Sequence, residues 1–409
     1  MVLATKTLLR LLYLSFFTRK DLPSRRRTSV GFCLKFFALF SLFELFNAVC
    51  LLLDEVLFPA WRRARIEEPI FVIGNPRSGT TILHRVMAVD EQRFFCFRTW
   101  EIVFPSVLQK KVVSAIGRLD RLTGNRLRAF LLRAEAKRLE KFQHIHQTGL
   151  FLPEEDDKLS IHILASVDLG WCFPYGGFEK LARFDVAVDS WDQRRIMEFY
   201  ERCLRRQAYF KRGQRTLLSK NPFFSGRVAS LRTYFPDCRI IYLVRNPLDV
   251  VPSMISLARV LVRSGVGVEP ETDLDEEVYE AARYYYAYPL EQLSTLPEDR
   301  FIVVNYDDLT RQPKQVIERI YKQFGFALTP EFEQRLDREV EKMQRHKSRH
   351  AYSRDQCSIT SQRIVSDLKP VLDRFGFDAG DHGHGTVPAS PSRPARAGVV
   401  TGHRPLASS

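Results

Sequence analysis

Residues 70–81 narrow the fold more than any other stretch. Ile70-Phe71-Val72-Ile73 is a short apolar run of the kind that forms a parallel strand buried on both faces. It ends in Gly74-Asn75-Pro76-Arg77-Ser78-Gly79-Thr80-Thr81, and Ile82, Leu83, Val86, Met87 and Val89 then mark the apolar side of a helix. Strand, glycine-bounded loop and helix make a phosphate loop, in which N–H groups at the helix start point at an anion and the helix dipole favours its charge. In the nucleotide triphosphatase loop, G-x-x-x-x-G-K-[ST], a lysine serves the β/γ-phosphates and a hydroxyl serves magnesium. Gly74, Gly79 and Thr81 keep that spacing, but Thr80 stands in the lysine position. No apolar strand ending in Asp offers itself clearly as the magnesium partner. The loop is expected to hold a phosphate-like group of lower charge, without a metal.

A second anion site is expected at 245–253. Residues 238–244 read as another buried strand, and Pro247 suits the first position of a helix. Arg245 would sit at the strand end and Ser253 would look back from the helix; a guanidinium fork with a hydroxyl suits a terminal phosphate. Pro252 is expected to kink that helix just before Ser253. Residues 216–219 make a further strand, followed by Lys220-Asn221-Pro222-Phe223. Another strand, 301–305, leads into Tyr306-Asp307-Asp308-Leu309 and a helix over 313–324.

Pro76-Arg77-Ser78-Gly79-Thr80-Thr81 resembles the 5′-phosphosulfate loop of sulfotransferases that use 3′-phosphoadenosine 5′-phosphosulfate (PAPS). The order strand, Lys-x-Pro-Phe, helix, Phe-Pro, strand, Arg is similar to that of tyrosylprotein sulfotransferases and their bacterial relatives. The resemblance runs over residues 69–360 and implies a role for each motif. Pro76, Arg77, Ser78, Gly79, Thr80 and Thr81 would bind the phosphosulfate, and Arg245 and Ser253 the 3′-phosphate. Lys220 would stabilise charge on the bridging oxygen, with Arg77 also on the leaving side. His346-Lys347-Ser348-Arg349-His350 would close over the nucleotide or form a solvated helix end.

Sulfuryl transfer also needs a general base, normally Glu or His. Relatives place two glutamates just after a cysteine. In Cys96-Phe97-Arg98-Thr99-Trp100-Glu101 those two positions are Arg98 and Thr99. Glu101 is the nearest carboxylate and ranks first as base. Glu154, in Pro153-Glu154-Glu155-Asp156-Asp157, ranks second, with Glu155, His84 and His146 also available.

The flanks set the context. Net charge is +14 over 409 residues, which favours anionic partners. The basic residues are spread along the chain rather than interleaved with aromatics in one module, which argues against nucleic acid. Seven scattered cysteines, none in a CxxC pair, fit a reducing compartment and no structural zinc. Residues 1–27 are basic, and 32–53 form a Phe/Leu-rich helix long enough to span a bilayer. Ser41, Glu44, Asn47, Asp54 and Glu55 draw a narrow polar stripe on it, which favours lying in a membrane surface over crossing it. The basic segment 110–141 could contact acidic acceptors or a membrane.

The expected fold is α/β, a P-loop-like doubly wound parallel sheet flanked by helices. A membrane-associating segment (1–68) precedes the catalytic domain (69–377), and a disordered Gly/Pro/Ala/Ser tail (378–409) follows. The expected protein is a PAPS-dependent sulfotransferase with a small nucleotide donor and no metal. Its acceptor, a lipid, glycan, protein or small molecule, is left unidentified. The catalytic domain is expected to be membrane-associated on the cytoplasmic side, with a single-pass Golgi-type anchor as alternative. The competing functions are a P-loop kinase or NTPase, and a catalytically degenerate membrane-bound scaffold.

Overall fold

The computed structural model describes residues 2–18, 28–139, 149–212, 215–266, 273–345 and 357–378. Five strands form its centre: β1 (Ile70–Gly74), β2 (Phe94–Phe95), β3 (Thr216–Lys220), β4 (Arg239–Val244) and β5 (Phe301–Asn305). They lie in the order β2-β3-β1-β4-β5, and every strand pairing is parallel. The helices before β3 are α1 (Val2–Phe16), α2 (Val30–Leu57), α3 (Thr80–Ala88), α4 (Thr99–Val103), α5 (Val107–Leu122), α6 (Arg126–Leu139), α7 (Phe184–Ala187) and α8 (Ser190–Phe210). Those after it include α9 (Val228–Tyr234), α10 (Pro247–Val266), α11 (Asp273–Leu293), α12 (Tyr306–Arg311), α13 (Pro313–Gln323) and α14 (Pro330–Arg345).

The doubly wound α/β architecture follows from strands that are apolar on both faces. Side chains alternate across a strand. Ile70, Val72, Ile241 and Leu243 therefore enter the core under α3, α13 and α14, with Leu83, Ile317 and Leu336. Phe71, Ile73, Ile240 and Tyr242 enter the opposite core, with Tyr200 of α8, Leu231 of α9, Val250 of α10 and Tyr286 of α11. The strands expected at 70–73, 216–219, 238–244 and 301–305 are all present to within a residue or two. The edge strand β2 has only two residues and leaves no alternation to read. Pro247 opens α10 as expected, and α10 continues through Pro252.

Four residues of the polar stripe of α2, Glu44, Asn47, Asp54 and Glu55, face the rest of the protein, and Ser41 is exposed. Glu44 Oε1 lies 2.8 Å from His162 Nδ1, and Asn47 accepts a hydrogen bond from Gln109 Nε2 at 2.7 Å. Asp54 is fully buried. It accepts from the backbone N–H groups of Val107 (2.8 Å) and Leu108 (2.9 Å), from the Ser106 hydroxyl (2.9 Å) and from Arg206 Nε (3.1 Å). A carboxylate from one helix thus caps the positive end of another, α5, and neutralises a buried guanidinium. Arg206 also donates to Glu55 at 2.7 Å and stacks over the Trp61 ring at 3.7 Å. The described residues belong to one compact unit ending at Asp378; the expected tail beyond it lies outside them.

Asp54→Ala would strip α5 of its cap and remove one of two carboxylates from buried Arg206. Breaking such a pair from one side costs about 3 kcal/mol. The expected outcome is a loss of that order in urea unfolding, with Ser41→Ala, on the same helix, near neutral.

Candidate active site

Among the described residues, the loop 76–81, Lys220, Glu155, Arg245 and Ser253 gather at the carboxyl ends of the strands. That is where an open parallel sheet binds ligands, beside the strand at which chain order reverses. Gly74 and Gly79 are required by close approach and by backbone sign. Gly74 has φ +147°, and a Cβ there would lie 2.5 Å from the Leu243 carbonyl oxygen. Gly79 has φ +94°, and a Cβ would lie 2.5 Å from the Tyr306 ring. Between them Arg77 also holds a positive φ of 72°, a conformation that costs a non-glycine residue energy. Ser78 is buried and donates from Oγ to the Asn75 carbonyl at 2.6 Å, closing the loop on itself. Ser225 clasps the loop from behind, accepting from Gly74 N–H at 3.0 Å and donating to its carbonyl at 3.1 Å. Pro76, Thr80 and Thr81 complete the turn into α3, whose first N–H groups lack intrahelical acceptors.

The two expected anion sites are one cluster. Arg77 Nε donates to Ser253 Oγ at 3.0 Å, and Arg245 donates to the Arg77 carbonyl at 3.1 Å. Arg245 lies 4.4 Å over the ring of Tyr306 and 3.5 Å from Asp249. Its buried Nε has no hydrogen-bond partner among the described residues. A buried orphan donor beside a hydroxyl and a glycine loop is the arrangement an incoming anion satisfies.

Lys220 closes the other side. It is 1% exposed and donates to Thr81 Oγ1 of the loop at 3.3 Å and to Glu155 Oε1 at 2.7 Å. The four acids after Pro153 each take a different partner. Glu154 pairs with Lys158 at 3.1 Å, Glu155 with Lys220, and Asp157 with Arg227 at 2.7 Å. Asp156 accepts from Tyr200 at 2.8 Å and from Ser219 at 2.9 Å. Glu155 is the extended residue before a 3₁₀ turn that begins at Asp156, and within that turn successive side chains are fanned by about 120°, which separates Asp156 from Asp157. Burial drives the Asp156 carboxyl up to about 7, against the pull of the Tyr200 and Ser219 hydrogen bonds.

Glu101 has a different place, which corrects its first rank as base. It is fully buried, accepts from the Arg98 N–H at 2.8 Å and pairs with Lys211 at 2.6 Å. Both oxygens are committed to capping α4 and neutralising a lysine. Glu154 lies in the acidic turn beside the site, but Glu155 is the acid that reaches Lys220. His84 is buried, and its Nε2 donates to the Leu218 carbonyl at 3.3 Å. Burial first, then the Lys220 charge, hold it down to about 3, so it is neutral at physiological pH. His146 and residues 346–350 lie outside the described residues.

A glycine loop opening a helix, two converging arginines and a buried lysine–glutamate pair at the mouth of a parallel sheet define a P-loop-like transferase. The chain belongs to the sulfotransferase family, whose sequence profile matches residues 69–330. It is 26% identical over 334 residues to the omega-hydroxy-beta-dihydromenaquinone-9 sulfotransferase Stf3 of Mycobacterium tuberculosis and of Mycobacterium bovis, covering 76% of each chain. The fold is that of sulfotransferase STF1 from Mycobacterium tuberculosis (TM-score 0.68, 17% identity, 90% of this chain and 92% of that one). It is also that of sulfotransferase STF9 from Mycobacterium avium (TM-score 0.63, 22% identity, 78% and 80%).

Asp156 gives the site a pH signature. An acid whose pKa is higher folded than unfolded favours the native state in acid, and that contribution is lost as pH rises from its ordinary value through about 7. Relative to Asp156→Asn, the native protein should lose stability between pH 4 and pH 7.5, read as urea midpoints at each pH. A constant difference between the two proteins would show that Asp156 does not titrate in this range.

Proposed function

We propose that this sulfotransferase draws its sulfuryl group from PAPS and needs no metal. The observation that carries the reading is the placement of Lys220 between the loop hydroxyl of Thr81 and the carboxylate of Glu155. Pro76, Arg77, Ser78, Gly79, Thr80 and Thr81 would hold the phosphosulfate through N–H groups, hydroxyls and the Arg77 guanidinium. Arg245, with its orphan Nε, and Ser253 would hold the 3′-phosphate. Thr80 in place of the loop lysine suits a group of lower charge than a triphosphate.

In this reading PAPS supplies an activated sulfuryl group whose leaving group is a phosphate. Lys220 and Arg77 stabilise negative charge as it grows on the leaving side. Glu155 accepts the proton of the acceptor hydroxyl, and its pairing with Lys220 sets base and cation side by side, as an in-line transfer requires. Glu154 acts on the turn, through Lys158. Residues 69–377 form the catalytic part.

The acceptor is read as a hydroxylated lipid. One relative is a sulfotransferase of omega-hydroxy-beta-dihydromenaquinone-9, and α2 carries an exposed apolar face beside the catalytic unit. The membrane surface is thus a partner. The seven cysteines, all unpaired, support a catalytic domain on the cytoplasmic side, where PAPS is made.

Glu155→Gln should lower kcat by about 10²–10⁴, the usual worth of a positioned base, with little change in nucleotide affinity. Loss of nucleotide binding with unchanged kcat would remove Glu155 from the chemistry. Arg245→Ala should weaken the 3′-phosphorylated nucleotide by about 1.5–3 kcal/mol and spare adenosine 5′-phosphosulfate. Equal losses for both ligands in calorimetry would sink the assignment of the 3′-phosphate.

A further inference from the structure

Helix α2 is long and apolar enough to cross a membrane by length and composition. Its contacts forbid that. Glu44, Asn47, Asp54 and Glu55 are bonded to His162, Gln109, the start of α5 and Arg206. These bonds hold about 16 Å of the helix against the catalytic unit. Cys33 and Phe37 are buried nearer its start, with Phe37 packed on Phe16 and Phe173. No stretch of α2 long enough for a hydrocarbon core of about 30 Å is free of the domain.

The opposite side of α2 is uncovered. Ten apolar side chains from Leu34 to Leu57 are 41–77% exposed. At 100° per residue they fall within an arc of about 140°. Between Phe36 and Leu57 no exposed residue is charged. Beside it runs the α5–α6 hairpin, joined to α2 through Asp54 and through Lys111, which lies 5.2 Å over the Phe58 ring. The hairpin exposes Val112, Ile116, Leu119 and Leu122 on one stripe of α5, and Phe130 on α6. Every exposed ionisable side chain from Lys111 to Lys137 is a lysine or arginine. Asp120 is buried, and Glu135 is half-buried and accepts from the Leu150 N–H.

We infer that α2 and the α5–α6 hairpin form a monotopic docking surface for an anionic bilayer, on which α2 lies flat with its apolar face among the acyl chains. An apolar face edged by cations suits anionic headgroups, each lysine or arginine adding to the attraction. A second copy of the chain is disfavoured as occupant, because an isologous contact would set one cationic hairpin near its twin. This builds on the membrane contact proposed above and does not depend on the sulfuryl chemistry.

The test is flotation of the full chain with phosphatidylcholine vesicles, with and without phosphatidylglycerol. Binding should be at least about tenfold stronger to the anionic vesicles and should fall with salt. Arg118→Glu with Arg121→Glu should remove about that factor, and Leu45→Glu with Leu52→Glu should abolish binding to both. Calorimetry with the desulfated nucleotide is the folding control, and both double variants should keep native affinity. Three results would overturn the inference: equal binding to neutral and anionic vesicles, no binding to either, or a dimer in light scattering that Leu45→Glu with Leu52→Glu dissolves. A fourth would be an N-terminal tag shielded from protease inside sealed vesicles, which would mean that α2 crosses. Flotation involves no sulfuryl transfer, so its failure would leave the sulfotransferase reading intact. Loss of nucleotide binding by the native protein would leave the docking surface intact.

Discussion

A lysine buried at the end of a strand must find a carboxylate, because an unpaired interior charge costs several kcal/mol. Lys220 finds Glu155, and much of the surrounding structure keeps that meeting in register. Asp156 is tied to Tyr200 of α8 and to Ser219, the residue before Lys220 on β3. Asp157 is tied to Arg227, which lies 4.6 Å over the Phe184 ring and 4.9 Å over Phe224. The strand that presents the lysine and the turn that presents the glutamate are thus bonded to each other directly.

The same economy explains the phosphate loop. Arg77 holds an unfavourable backbone sign because Arg245 donates to its carbonyl and Ser253 accepts from its side chain. The strain sits where N–H groups and guanidinium must converge on one point, a common place for stored strain. Tyr306, at the end of β5, closes this side by stacking under Arg245 and packing against Gly79. Residues from four consecutive strand ends therefore share one mouth, although they lie far apart in the chain.

How much of this was legible depended on whether the information was local. The strands β1, β3, β4 and β5 and the glycine loop were readable because a buried parallel strand is a continuous apolar run and the loop needs glycine at fixed spacing. The approach of Arg77 to Ser253 was not, since it arises from strand order. Glu101 ranked first by proximity to a cysteine motif, yet its carboxylate is spent on Arg98 and Lys211. Four acids in a row at 154–157 announced a site without showing which one faced it, because the chain passes from extended at Glu155 into a 3₁₀ turn at Asp156 and sends the four to separate partners. The stripe of α2 was visible as a stripe. Its partner was not: a polar edge reads the same whether it meets water, headgroups or the Ser106–Leu108 backbone.

Helix α8 joins the two halves of the molecule. Tyr200 reaches the acidic turn through Asp156, and Arg206 reaches α2 through Asp54 and Glu55. These two residues lie about 9 Å apart along a single helix. Tyr200 and Arg206 are both buried, so neither contact has slack to absorb a shift. The apolar helix and the acidic turn that carries Glu155 are therefore mounted on the same rigid element. In the proposed function, a hydroxyl carried on a hydrophobic chain would meet Glu155 from a frame whose position relative to α2 is set by two bonded networks on α8. That coupling accounts for polar residues in the middle of an otherwise apolar helix. Glu44, Asn47 and Asp54 weaken α2 as a membrane span and strengthen it as a part of the enzyme.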